Sequence, residues 1–216
     1  MGRTVTDCAI LLGAMVTGED ADDAATGCTA HLVHRDYTQF LKPDGLRGLR
    51  IGVNRVRCEA ELFPGDCEAI FERELERMRQ AGAELVDCNI PYTGLEHGIL
   101  SQATLLYEFQ AAMDAYLARY ATGQCRRLAD IIAYNRAHAD TALRYGQDLL
   151  IAAQSQTSGR LLEAEYWDMK LEAIERGQAG GIDRALAAQR LDVIVCACYS
   201  NLPPITGYPV MVVPMG

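Results

Sequence analysis

One group of residues has the types and spacing of a metal site. Cys28, His31 and His34 stand at three-residue steps, with Asp36 close behind. Thiolate, imidazole and carboxylate are all zinc ligands, but a zinc site needs three or four of them to converge. The stretch is typical of a loop, and no second Cys or His pair follows at a standard spacing. We therefore expect a polar surface loop here and no bound metal.

Two cysteines near the end of the chain could form a redox pair. Cys196 and Cys198 alternate along a predicted strand, so both side chains point to the same face. Their neighbours are apolar, and a free thiol among apolar residues behaves as a small hydrophobic group. We interpret the pair as part of a buried strand end.

Three carboxylates could serve acid–base chemistry. Glu163, Glu165 and Asp168 lie within six residues, as paired catalytic carboxylates could. They share a charged helical segment with Arg160 and Lys170. That mixture is typical of a solvated helix face, which is our interpretation.

Polar and aromatic residues follow a predicted strand at the point where ligands gather in open α/β sheets. The loop begins with Tyr199, Ser200 and Asn201. The alternative interpretation is ordinary loop polars and packed aromatics. Our candidates for shaping a substrate cleft are Tyr145, Tyr199, Asn201 and Tyr208.

The elements that must position these residues follow from periodicity. A short β-branched strand at 49–53, an amphipathic helix at 64–82 and a second strand at 83–88 have the length of a βαβ unit. A helical region runs from 94 to 190, with segments near 95–120, 126–135 and 159–188. Two further strands are predicted at 191–197 and 209–213, the first fully buried. The fold class is α/β.

Composition limits the partners. The 216 residues are half hydrophobic and contain no repeat or linker, which predicts a single domain over 1–216. A net charge of -9 repels nucleic acid and anionic membranes. No apolar run approaches the roughly 20 residues of a membrane span. The eight cysteines are scattered along the chain, and its first residues lack the pattern of a secretory signal. Both observations favour free thiols and a cytoplasmic location.

Five stretches, in order, resemble the amidase-signature family. They are GRTVTDCA at 2–9, LRGLRIGV at 46–53, LADIIAYN at 128–135, YGQ at 145–147, and GYP at 207–209 continuing to VPMG at 213–216. The resemblance implies a large mixed sheet between helices, and amide hydrolysis by a Ser-Ser-Lys triad. In that triad a lysine activates the nucleophilic serine through a bridging serine. The sequence therefore predicts an incomplete amidase-signature fold, a mixed sheet of few strands flanked by many helices.

The catalytic part of the pattern is missing from this sequence. The serines are isolated, at 101, 155, 158 and 200, and Gly180-Gly181 is followed by isoleucine. Neither Lys42 nor Lys170 matches the position of the family's lysine. No catalytic residue is carried over, and we expect the chain to correspond to the portion after the Gly-Ser-Ser-Gly motif. A new triad of Ser158 or Ser200 with His138 or His97 has no motif support.

The predicted function is the substrate-cleft half of an amide hydrolase, inactive by itself. The alternative is a stand-alone binding or self-assembling module derived from the same fold. A small amide is the ligand that the resemblance implies, and no cofactor is expected. A sheet cut at both ends would expose edge strands and apolar faces, so we expect a homo-oligomer.

Overall fold

The computed structural model describes residues 2–16, 18–28, 30–55, 67–90, 99–197 and 202–213. Within these residues, helices surround three strands. The strands are β1 (Arg50–Asn54), β2 (Glu84–Cys88) and β3 (Val193–Val195). The helices are α1 (Val5–Met15), α2 (Cys67–Gln80), α3 (Ile99–Tyr120), α4 (Leu128–Ala137), α5 (Ala139–Ala142), α6 (Asp148–Gln156), α7 (Ala164–Gly177), α8 (Asp183–Gln189) and α9 (Leu202–Thr206).

The three strands form a parallel sheet in the order β2-β1-β3. In the register, Ile51 of β1 lies opposite Leu85 of β2 and Val193 of β3. Because β1, α2 and β2 form the predicted βαβ unit with bounds that differ by at most three residues, that prediction is confirmed. The α/β class, with few strands and many helices, is confirmed with it.

Helices cover both faces of the sheet. On one face, Val53 packs against Phe71 and Leu75 of α2 in a buried cluster. On the other, Ile194 packs against a cluster that contains Ile182 and Leu202. Adjacent residues of a strand point to opposite faces, and β3 accordingly places Ile194 in one cluster and Val195 against the other.

A separate helical layer is built on α4 and α6. Leu128, Ile132 and Ala153 form its buried cluster, with side chains of α3 packed against it. The carboxylate of Asp114 on α3 accepts the backbone N–H of Leu128, 2.7 Å away. That bond satisfies a free N–H in the first turn of α4 and fixes where the helix begins.

The predicted helix over 159–188 is wrong as one element. Gly159 and Leu161 have positive φ values of 68° and 54°, so α7 begins after them, at Ala164. A π-helical turn at Gln178–Ile182 then separates α7 from α8. The sequence patterns also did not single out α5, α6 and α9.

The strand predicted at 209–213 is wrong. These residues adopt no regular structure, and Val212 is 87% exposed, because no strand of the described residues pairs with them. The strand predicted at 191–197 is shorter than expected and is not fully buried. It pairs with β1 on one side, and Val193 is 42% exposed. Edge strands are the places where a sheet offers unpaired backbone groups.

Across the described part of the chain, no helix is both long enough and apolar enough to span a bilayer. Among the described residues, no disulfide joins the cysteines at 8, 28, 67, 88, 125 and 196.

Candidate functional site

The carboxyl ends of the strands carry uncharged polar groups. Asn54 ends β1 opposite Cys88, the last residue of β2, and both are buried. Burial raises the pKa of the Cys88 thiol, and the nearby Asp87 carboxylate and Cys196 thiol raise it further. A thiol that stays protonated is a poor nucleophile. These residues can form the floor of a cleft, but they do not supply a reactive thiol.

The segment after β3 is anchored to the π-helical turn. The Gln178 side chain donates to the carbonyl of Thr206 over 2.8 Å. The Thr206 hydroxyl donates to the carbonyl of Leu202 over 2.6 Å, which closes the short helix α9. Gly207, at φ 81°, then redirects the chain into Tyr208. The position of Tyr208 thus depends on α7 and its π turn.

Tyr208 is half-buried, and its hydroxyl donates to the carboxylate of Asp183, the first residue of α8. That bond raises the pKa of Tyr208 above its usual range. The phenol therefore stays neutral and already has an acceptor inside the protein. It can orient a ligand through its ring or its lone pairs rather than by donating a proton.

Tyr145 lies in different surroundings. Its ring is 88% exposed, and the Arg144 guanidinium sits 5.5 Å from the ring centroid. The next side chain but one, Gln147, accepts from Asn135 over 3.1 Å and donates to the carbonyl of Ile132 over 3.3 Å. The Tyr-Gly-Gln stretch thereby joins α6 to α4, which is a structural task.

The described residues do not bring the four cleft candidates together. Tyr208 packs with the cluster beside the sheet, whereas Tyr145 stands at the start of α6 in the helical layer. Tyr199 and Asn201 lie outside the residues that the structure describes. A shared site for all four stays a prediction.

A shallow groove between α4 and α6 was not predicted from the sequence. It has a volume of about 250 Å³. Its lining is mainly apolar, with one guanidinium, one amide and one hydroxyl: Ala129, Ile132, Ala133, Arg136, Ile151, Gln154 and Ser155. Residues four apart on each helix produce the groove, a spacing visible in the sequence once both helices are known.

Lys170 has partners that keep it charged. Its ammonium donates to Glu108 over 2.5 Å and to the Tyr166 hydroxyl over 3.1 Å. The hydrogen bond to Glu108 raises the pKa of Lys170. A lysine base must lose its proton before it can activate a serine. In the described part of the chain no lysine is hydrogen-bonded to a serine, and Lys42 is exposed.

Two of the three carboxylates around the start of α7 make structural contacts, and the first of them is Glu163. This side chain accepts the backbone N–H groups of Ser158 and Leu162 at 2.9 and 3.0 Å. With the Ser158 side chain as the largest cause, these bonds lower the pKa of Glu163 to about 2. Glu165 accepts from the Tyr107 hydroxyl at 3.3 Å. Ser158 is thus engaged by a carboxylate rather than by a histidine.

The remaining candidates from the sequence are the group at Cys28–Asp36 and the residues of the unsupported triad and redox pair. The His34 ring packs edge-on against Tyr37 and Phe40, and Asp36 accepts from Thr38. No three metal-ligating side chains converge among the residues described. His138 stacks on Tyr134, 4.1 Å between ring centroids. Cys198, Ser200 and His97 lie outside the described residues.

Comparison with known proteins defines the class. The Amidase family model matches residues 1–213, and the chain belongs to that family. A protein of Arabidopsis thaliana named probable amidase is 29% identical over 224 residues, which cover 99% of this chain and 41% of the relative.

Two solved structures share the fold. The native peptide amidase of Stenotrophomonas maltophilia is 35% identical with a TM-score of 0.79, covering 90% of this chain and 38% of its own. A peptide amidase in complex with the competitive inhibitor chymostatin is 31% identical with a TM-score of 0.81, covering 95% and 44%. The chain thus spans less than half the length of these relatives.

Proposed function

We propose that this chain is the substrate-cleft region of an amidase-signature amide hydrolase and does not hydrolyse amides by itself. The observation that carries the proposal is the family match over residues 1–213 in a sequence whose serines are all isolated. The matched region retains the scaffold of the family, and the paired serines of its catalytic motif are not in the sequence. The cleft candidates are Tyr145, Tyr199, Asn201 and Tyr208, and the proposed ligand is a small amide.

The proposed reaction is acyl transfer to water. A serine oxygen attacks the amide carbon, the amine leaves with a proton, and water then hydrolyses the acyl-serine. Every step depends on a nucleophile whose proton is taken by a positioned base. Lys170, with its raised pKa and its bonds to Glu108 and Tyr166, is unsuited to that role. The nucleophile and its base must come from a region outside this sequence.

The second candidate function is a stand-alone binding or self-assembling module. The observation that favours it is apolar surface left exposed on α1 and at 210–213. Self-association of the isolated chain is part of both candidates, because the same surfaces face water in each. We also retain one domain over 1–216 and a cytoplasmic location, the latter supported by the free thiols of the described residues.

The test is hydrolysis of a panel of simple amides, peptide amides and esters by the purified chain. We expect rates equal to those of buffer, since no nucleophile is activated. A Ser158→Ala variant is the matched control, because it removes the serine that Glu163 engages. Turnover by the parent chain that the variant lacks would contradict the proposal and would identify Ser158 as a nucleophile.

A further inference from the structure

The groove between α4 and α6 has an apolar floor of the size of a small molecule. Ile132 lies at its base and is 6% exposed, because it belongs to the buried cluster of the helical layer. Ala129, Ala133 and Ile151 extend the apolar lining along both helices. The volume of about 250 Å³ lies just below the usual range for sites of drug-sized molecules, so a ligand of this groove must be small.

The two walls of the groove are fastened to each other. Gln147, immediately before α6, accepts from the Asn135 side chain over 3.1 Å and donates to the carbonyl of Ile132 over 3.3 Å. Since the start of α6 is bonded to residues toward the end of α4, the two helices run in opposite directions. These bonds set the width of the groove before any ligand binds, which lowers the cost of binding.

Three polar side chains stand on the lining. Arg136 lies near the end of α4, whereas Gln154 and Ser155 lie near the end of α6. Because the helices run in opposite directions, the guanidinium stands toward one end of the groove, and the amide and the hydroxyl stand toward the other. Among the residues described, none of these three side chains makes a hydrogen bond or an ion pair. The lining carries one charge, that of Arg136.

This order of groups specifies the chemistry of a ligand. A guanidinium without a carboxylate partner binds a carboxylate through two parallel N–H groups. The apolar floor between the two ends accommodates a hydrocarbon side chain. The amide and hydroxyl at the far end can both donate to a carbonyl oxygen. An amino acid with an apolar side chain and an acylated nitrogen has these three features in the same order.

We infer that the groove between α4 and α6 is a binding site for an N-acylated apolar amino acid. The carboxylate of the ligand pairs with Arg136, its side chain lies over Ile132 and Ala133, and its acyl oxygen accepts from Gln154 or Ser155. The inference does not depend on the proposed function, because every group that it uses belongs to the helical layer.

The experiment titrates the isotope-labelled chain with N-acetyl-leucine and follows the backbone amide signals of α4 and α6 by NMR. We expect these signals to shift with a dissociation constant below about 10 mM, as a small ligand in a shallow groove gives. N-acetyl-leucine amide has nearly the same shape without the negative charge. At the same signals it should bind at least about tenfold more weakly, because it cannot form the charged pair with Arg136.

Two substitutions test the two parts of the groove. Arg136→Gln should weaken the binding of N-acetyl-leucine at least about tenfold, since it removes the charge. Ala133→Leu should abolish binding, since the larger side chain fills the space over the floor. The control is Arg184→Gln on α8, an exposed arginine outside the groove, and it should leave the affinity unchanged. Arg136 and Ala133 are exposed, so both variants should unfold at the temperature of the parent chain.

Four results would each overturn the inference. They are no shift of the α4 and α6 signals up to about 10 mM N-acetyl-leucine, equal affinities of the acid and the amide at these signals, unchanged binding by Arg136→Gln, and unchanged binding by Ala133→Leu. Shifts of the same signals that follow protein concentration, and that the ligand does not reverse, would overturn it in favour of a second copy of the chain as the occupant.

Discussion

Lys170 shows how the surroundings of a residue decide its chemistry. In the sequence it is one of two lysines and stands in a charged helix. In the structure it crosslinks α7 to Glu108 of α3, 62 residues away in the chain. No local pattern predicts that contact, because it depends on how two helices pack. The sequence indicated only that this lysine does not match the family's catalytic position, and that stays a prediction.

Glu163 has the clearest pH dependence. Its pKa is lowered from 4.5 to about 2 by the Ser158 side chain and by backbone N–H groups. A lowered pKa in the folded state stabilises the protein fully above about pH 4.5, and this contribution is lost as the pH falls through about 2. We expect Glu163→Gln to lower the melting temperature at pH 7 and to lose part of that effect at pH 3.

The measurement is thermal unfolding of both proteins from pH 7 to pH 3. The control repeats the comparison in a Ser158→Ala background, which lacks the largest cause of the lowered pKa of Glu163. There, the effect of Glu163→Gln on the melting temperature should change less between pH 7 and pH 3. If the melting temperatures of the parent and Glu163→Gln differ by the same amount at pH 7 and pH 3, the hydrogen bonds to Glu163 do not stabilise its charged form.

Tyr199 and Asn201 were predicted as cleft residues from their place after a strand, which is a statement about topology. The contact of Tyr208 with Asp183 depends on the π turn at Gln178–Ile182. Gly180 and Gly181 were visible in the sequence, but a glycine pair in a helical pattern does not specify a π turn. The groove between α4 and α6 required the positions of both helices and was out of reach of sequence patterns.

At the scale of elements, a predicted strand formed where the fold gives it a partner, near in the chain for β1 and β2 and distant for β3. The strands β1 and β2 are linked by one helix, and both were predicted. Residues 209–213 have the composition of a strand, but a strand forms only when it has a neighbour to pair with. Their partner is not among the described residues, so composition alone gave the wrong element.

Gly52 is a close-approach position in the central strand. A Cβ atom there would lie 2.5 Å from a methyl carbon of Leu191 and 2.8 Å from the sulfur of Cys88. We expect Gly52→Ala to reduce the free energy of unfolding by about 1–3 kcal/mol, as overpacking in a core does. Urea unfolding followed by circular dichroism measures it.

The matched control for this substitution is Gly123→Ala. A Cβ at Gly123 would meet no atom within 4 Å, so the stability should change by no more than about 0.5 kcal/mol. Equal effects of the two substitutions would mean that there is room for a methyl group at Gly52 between Leu191 and Cys88.

At the scale of the molecule, the main feature is apolar side chains that are exposed to solvent. Apolar side chains are exposed to solvent on helix α1, where Ile10 and Met15 are 60% and 61% exposed. Others are exposed on the edge strand β3 and at residues 210–213. We expect the purified chain at micromolar concentration to scatter light with at least twice the monomer mass, and Ile10→Glu to reduce that mass. A monodisperse monomer of the parent chain would contradict the expectation of self-association.

The most direct test of the amidase-region assignment is reaction with a fluorophosphonate probe, which labels activated serines, read by intact mass. The chain has serines at 101, 155, 158 and 200, and the assignment predicts that none is activated. The mass should therefore stay unchanged after incubation with excess probe, while a complete peptide amidase treated in parallel is labelled. Stoichiometric labelling of one serine in the folded chain would contradict the assignment and show that this region carries a nucleophile of its own.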